Sequence, residues 1–267
     1  MGFAVLGPLT VSRGGHQLDP GPFKQRVVLG LLLCRANQMV STDALSNALW
    51  EGTPPRTARK NLQVYVATVR KLVGPYPGPA EAPVRLLHTP PGYTLCVGPE
   101  QLDALRFQEL ARAGRQAART DAPSTAAELL GQALELWRDM VLPEMAAVPA
   151  IAAEAQRLHE RYVDVYEDWA EAKLTLGQHL QVAEGIDELA RRYPLRERLR
   201  RAQMIALYRC GRQTEALAHF DTVRQMLARE LGLQPSPMLT RLYEAILVAD
   251  PALELADASR LVPVTRG

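Results

Sequence analysis

The chain has 267 residues, 47% of them apolar and 22% charged. It is longer than one average domain and apolar enough to bury ordinary cores, so two domains are expected. No stretch approaches the roughly 20 uninterrupted apolar residues of a membrane span, and MGFAVLGPLTVSRGG has no basic region followed by a long apolar run, which excludes a membrane partner and points to a soluble cytoplasmic protein. The net charge of +2 conceals a division. Residues 1–98 hold ten Lys and Arg against Asp19, Asp43, Glu51 and Glu81, giving +6 and leaving −4 for the remainder. A basic part joined to an acidic one suggests that the first faces a polyanion and the second faces solvent or protein.

In chain order, Phe3 to Leu6 and Leu9 to Ser12 alternate around Gly7-Pro8 and read as short strands, with Gly14-Gly15 as the next turn. From Pro22 to Asn37 a helix is predicted, with Phe23, Val27, Leu31 and Cys34 on an apolar face beside Val28 and Leu32. Ser41 and Thr42 are capping candidates for a short second helix carrying Ala44, Leu45, Ala48, Leu49 and Trp50 and stopping at Gly52. Thr53-Pro54 is read as the N-cap and first turn of a third helix that runs through RTARKNLQVYVATVRKLV to Gly74.

At about 100° per residue, Ala58, Leu62, Val66, Val69 and Val73 of that helix cluster as a buried stripe, with Tyr65 and Leu72 at its margin. The opposite face carries Arg56, Lys60, Val64, Ala67 and Lys71, flanked by Gln63, Thr68 and Arg70, with Arg59 nearer the boundary. No acid occurs from Arg56 to Val73. An ordinary solvated face normally mixes both signs; cations alone suit phosphate. Val64 and Ala67 can touch thymine methyls, Gln63 can hydrogen-bond adenine, and the flanking cations can hold phosphate or read guanine. A Pro- and Gly-rich loop, GPYPGPAEAP, follows, and then Val84 to His88 and Tyr93 to Val97 read as a hairpin around Pro90-Pro91-Gly92. Strands, three helices and a hairpin are the order of a winged helix-turn-helix.

Farther along, an offset of 34 aligns Ala172 with Ala206, Leu174 with Tyr208, Gly177 with Gly211, Ala183 with Leu217 and Leu189 with Val223. That is the tetratricopeptide period, in which helix pairs stack and leave a groove for partners. Asp103 to Arg119 and Ser124 to Arg138 form a candidate first, less regular repeat. The expected fold is mainly α with small β-sheets: a winged-helix domain at 1–98, tetratricopeptide-like helices at 99–250, and a patternless tail at 251–267 that is a candidate for disorder.

VSTDALSNALW, RKNLQVYVATVRKLV and PPGYTLCV resemble the DNA-binding domain of OmpR-type response regulators. LDALRFQELARAGR and ALYRCGRQTEALAHFDTVRQMLARELGLQPSPMLTRLYEAIL resemble the bacterial transcriptional activator domain that follows such a winged helix in the Streptomyces antibiotic regulatory protein family. This resemblance covers about residues 3–248. It implies a transcription activator that binds double-stranded DNA at direct repeats, two copies head to tail, contacts RNA polymerase including its sigma factor, and controls antibiotic-biosynthesis genes. Matched residue by residue, the DNA-contacting positions of the family's third helix fall on Lys60, Asn61, Gln63, Val64, Thr68 and Arg70. Gln63, Val64 and Thr68 are expected to face bases, and Arg56, Lys60, Asn61, Arg70 and Lys71 to position phosphates. Many relatives carry Arg where Thr68 and the wing's Thr89 stand, so Arg85 and His88 are alternative backbone contacts. The loop Trp50-Glu51-Gly52-Thr53-Pro54 corresponds to the polymerase-contacting loop, although Trp50 also suits a core anchor.

Catalysis finds little support. Glu167, Asp168 and Glu171 read as a solvated helical face, and His159, His179 and His219 lack paired metal-ligand spacing. Cys34, Cys96 and Cys210 match neither a metal site nor a disulfide framework and read as small buried hydrophobes. No phosphate-binding Gly loop, receiver domain or nucleotide-binding module is expected, and neither cofactor nor metal is implied. The alternatives are a winged-helix repressor whose repeats sense a ligand, and a repeat scaffold whose winged helix binds protein.

Overall fold

The computed structural model describes residues 1–74 and 84–254; residues 75–83 of the expected Pro- and Gly-rich loop, and the tail from 255 onward, lie outside the described residues. The chain divides into two compact units, Met1–Arg112 with Gln132–Tyr162, and Ala113–Gly131 with the residues from Val163 onward. This division differs from the expected split at residue 98. The winged-helix segment shares its core with residues from the helical region that follows.

In the first unit, β1 (Gly2–Ala4), β2 (Thr10–Arg13) and β3 (His16–Leu18) form an antiparallel sheet in that order, with Phe3 opposite Val11 and Val11 opposite Leu18. Helix α1 (Phe23–Cys34) is buried on nearly every side, from Val27 to Cys34 without interruption, and not on one face as its pattern predicts. A helix apolar all round belongs inside a core. Here the additional cover comes from residues 142–145: a Cβ on Gly30 would lie 3.2 Å from Leu142 and 3.1 Å from Met145. Then come β4 (Met39–Ser41), α2 (Thr42–Trp50), α3 (Ala58–Val73), β5 (Arg85–Thr89) and β6 (Gly92–Cys96). The second sheet has the order β4-β6-β5. Three helices with this sheet form the winged helix-turn-helix.

The same unit takes in the start of α4 (Asp103–Arg119), the end of α5 (Pro123–Glu135) and the first half of α6 (Pro149–Thr175). The Gly7-Pro8 turn docks there: Arg138 and Leu142 donate their backbone N–H to Leu6 and Gly7 at 2.9 and 3.0 Å, and Leu9 donates to Glu144 at 2.9 Å. Trp137 sits amid Phe107, His159 and Tyr162, with ring centroids 4.8–5.6 Å apart. Aromatic pairs at such separations add to the stabilisation from area burial.

The second unit is all helical. It contains the rest of α4, α5 and α6, then α7 (His179–Arg192), α8 (Glu197–Arg209), α9 (Gln213–Leu231) and α10 (Pro237–Leu247). The 34-residue repeat is visible in its turns. Gly177 and Gly211 have φ of +72° and +75°, and their N–H groups bond Leu174 and Tyr208 at 3.1 and 2.9 Å. Ser236 caps α10 by accepting the Leu239 N–H. Pro251–Glu254, placed in the tail by sequence, forms a 3-10 turn with Leu253 fully buried.

Candidate nucleic-acid interface

Helix α3 turns its stripe inward as the 3.6-residue period requires: Leu62, Val66, Val69 and Val73 are buried. The opposite face is open. Arg59, Lys60, Gln63, Val64, Ala67, Thr68, Arg70 and Lys71 are all exposed, Asn61 is half-buried, and Val64 shows 55% of its surface. An exposed branched side chain amid cations gains nothing from burial within this fold. The cations Arg56, Arg59, Lys60, Arg70 and Lys71 make no ion pair with any described residue, so their charge is left to solvent or a partner. The Thr68 hydroxyl donates to the Val64 carbonyl at 2.9 Å, and Asn61 donates to Thr57 Oγ1 at 3.3 Å.

The entry to α3 differs from its sequence reading. Thr53-Pro54 is not the cap: the helix begins at Ala58, preceded by Thr57 without a side-chain cap bond. A residue before proline is pushed out of the α region, and Pro54 precedes Pro55. Thr53 instead closes the preceding turn, its N–H and hydroxyl both reaching the Trp50 carbonyl. Arg56 therefore lies in a turn just ahead of the helix. Helix α2 follows its sequence more closely, with Ser41 Oγ accepting the Ala44 N–H at 3.1 Å. It ends at Glu51, φ +48°, and Gly52, φ +83°, so Glu51, Gly52, Thr53 and Pro54 project as an exposed elbow. Trp50 is half-buried, with the Lys24 ammonium 5.0 Å from its ring, a cation–π contact that sequence spacing did not reveal.

A concave surface of about 900 Å³ lies between α2, α3 and the hairpin. It brings Arg56, Gln63, Arg70 and His88 together with Arg59, which helix periodicity alone places nearer the boundary. Lys60, Asn61, Val64, Thr68 and Lys71 continue α3 outside that cleft, and Arg85 and Thr89 are exposed on β5. Thr42 ties the hairpin to α2, giving both its N–H and its hydroxyl to the Pro91 carbonyl at 3.0 and 2.9 Å. At Gly92 a side chain is impossible: its Cβ would lie 2.0 Å from the Val40 oxygen, so only glycine lets β4 and β6 pair there. His88 leans on Tyr93 with ring centroids 5.2 Å apart, and Thr89 accepts the Thr94 hydroxyl at 3.2 Å.

Elsewhere, of the three acids read as a solvated face, Glu171 is exposed and Asp168 half-buried, but Glu167 is not solvated. Glu167 is buried, and Arg198 holds it at 3.1 Å, Asp168 at 2.8 Å and Glu171 at 3.2 Å. Arg198 lies some thirty residues downstream, where helix periodicity cannot connect it to these acids. Among the described residues, no group of three His, Cys, Asp or Glu is arranged to hold a metal, and no helix is long and apolar enough to cross a membrane.

Residues 102–247 match the family of the bacterial transcriptional activator domain. The chain is 36% identical to the regulatory protein DnrI of Streptomyces peucetius, over 94% of this chain and 93% of that one. It is 38% identical to the regulatory protein AfsR of Streptomyces coelicolor over 96% of its own length, but spans only 25% of that protein. The solved structure of Mycobacterium tuberculosis EmbR, in complex with a low affinity phosphopeptide, superposes with a TM-score of 0.85 at 35% identity. That match covers 97% of this chain and 68% of EmbR's.

Proposed function

The chain belongs to the Streptomyces antibiotic regulatory protein family, whose members matched above are regulatory proteins, and from that premise we propose that it activates transcription by binding double-stranded DNA in a sequence-specific way. The observation that carries the reading is the outer face of α3, where unpaired cations surround exposed Val64 and Ala67. Gln63, Val64 and Thr68 read base edges in the major groove, while Arg56, Lys60, Asn61, Arg70 and Lys71 hold phosphates. Arg85, His88 and Thr89 of the hairpin lie against the adjoining backbone. Two copies bind direct repeats about one helical turn apart, so that both α3 helices meet one face of the duplex. The elbow Trp50-Glu51-Gly52-Thr53-Pro54 contacts RNA polymerase, sigma factor included, at promoters of antibiotic-biosynthesis genes.

Selection from a duplex library with the full chain tests this. A repeated motif should emerge whose base preference relaxes with Gln63→Ala, while Lys60→Ala weakens binding to all sequences alike and lowers the salt slope by about one phosphate. Absence of enrichment, together with weak and salt-insensitive binding, would instead favour a protein-binding winged helix.

A further inference from the structure

The helical unit contains an open cavity of about 530 Å³ that plays no part in the proposed DNA reading. Its volume falls within the roughly 300–1,000 Å³ of small-molecule sites. Buried Leu130, Leu174 and Ile205 supply an apolar floor. Around it stand Arg115, Arg119, Arg201 and Arg209 against the carboxylates of Asp121, Asp168 and Glu171.

Two of the three carboxylates are committed, while Asp121 is exposed at the rim with no ion pair among the described residues. Asp168 takes Arg115 at 2.6 Å and Arg198 at 2.8 Å, and Glu171 takes Arg198 at 3.2 Å and Arg201 at 3.5 Å. Each of these two acids already faces two guanidinium groups, so a cationic ligand would have to displace an arginine from it. Arg119, by contrast, is exposed at the rim and has no partner among the described residues. An arginine with its donor fork unoccupied beside an apolar hollow suits a carboxylate or similar oxyanion on an apolar body.

We propose that this cavity binds a small organic anion, its apolar part on Leu130, Leu174 and Ile205 and its acidic group on Arg119. Calorimetric titration of the full chain with three probes of one shape tests the assignment: 1-naphthylacetate, neutral 1-naphthylacetamide, and 2-(1-naphthyl)ethylammonium. The carboxylate should bind one to one and at least tenfold more tightly than the amide, with the ammonium not binding measurably. Arg119→Glu should weaken the carboxylate at least tenfold and the amide less than threefold. Ala118→Trp, at an exposed rim position, should block both. Arg119→Gln, which keeps a polar side chain, should fall between wild type and Arg119→Glu, and thermal melts establish that each variant is folded. Equal binding of carboxylate and amide, preference for the ammonium, no saturable binding of any probe, or carboxylate affinity indifferent to Arg119→Glu would each overturn the proposal. No DNA enters the experiment, so its result is separate from that of the duplex selection.

Discussion

The Asp103 carboxylate accepts the backbone N–H groups of Val5 and Leu6 at 2.9 and 3.0 Å, joining the first residue of α4 to the end of β1 across nearly a hundred residues. It also takes the Ala104 N–H at 2.8 Å. Asp103→Ala strands three donors, and unsatisfied buried donors cost about 1–3 kcal/mol each before relaxation and water recover part of it. A net loss of about 2–4 kcal/mol in urea unfolding at pH 7 is expected. Burial raises the Asp103 pKa above 3.8, outweighing the three backbone hydrogen bonds and the Arg138 charge. A raised carboxylate contributes stability that is full below 3.8 and is lost as pH rises through its folded value. The gap between wild type and Asp103→Ala should therefore widen as pH falls from 7 towards 4; a gap that narrows would reverse the assigned sign.

The glycines separate two kinds of constraint. At Gly177 and Gly211 an added Cβ meets nothing within 4 Å, but φ is left-handed at both, so each Gly→Ala change should cost roughly 1–2 kcal/mol and the two should agree. Gly92 has ordinary φ and no room, because the Val40 carbonyl occupies the space. Gly92→Ala should cost about 3 kcal/mol or more, since backbone must move to admit the methyl. Chemical denaturation of the three variants under one set of conditions decides the order; a Gly92 variant as stable as the other two would mean β4 and β6 separate easily.

How far this architecture could be read from sequence depends on how local its causes are. The stripe of α3 is fixed by the period of one helix, and Leu62, Val66, Val69 and Val73 all lie buried where that period places them. The repeat turns were equally legible, because Gly177 and Gly211 need the same left-handed backbone. Strand β4 has only three residues, too few for alternation to register, and it exists because β6 pairs with it. The full burial of α1 depends on Leu142 and Met145, and Glu167 is buried because Arg198 reaches it from another helix. For the candidate interface, the exposed residues of α3 were legible, whereas the place of Arg59 in the cleft and of Lys24 over Trp50 depends on how three helices and a hairpin meet.

Glu167 gives a test of that buried network. Its Oε2 takes Arg198 at 3.1 Å, while its Oε1 is buried without a hydrogen-bond partner. Removing one member of a buried pair typically costs about 3–5 kcal/mol, but Arg198 is nearly half exposed and water can replace part of its effect. Arg198→Met should then cost about 2 kcal/mol, and Glu167→Gln in that background should restore much of it. A double-mutant cycle measures the coupling, and strictly additive losses would mean that the two side chains do not act on each other. Burial raises the Glu167 pKa against the pull of Arg198 and Arg196. Wild type should accordingly gain stability relative to Glu167→Gln as pH falls towards 4.5.

Cys34 offers a prediction about reactivity. Its thiol is buried at the end of α1, and burial, with the nearby Glu154 charge adding to it, pushes its pKa up to about 12. The thiolate is the species that alkylating reagents attack, and at pH 8 its fraction here is on the order of one in ten thousand. Glu154 is held in place by Arg35 at 2.7 Å and Arg157 at 2.8 Å, so its charge stays beside the sulfur. N-ethylmaleimide should label half-buried Cys96 and Cys210 in the native chain well before Cys34. Labelling of Cys34 should follow the unfolding transition in urea, as read by mass spectrometry of its peptide. Glu154→Gln tests the cause: it removes the charge but leaves the burial, so native Cys34 should remain protected even though the ion pairs are gone. Rapid native labelling of Cys34 in the wild type, at the pace of Cys96, would show that the end of α1 opens independently of the core it is packed in.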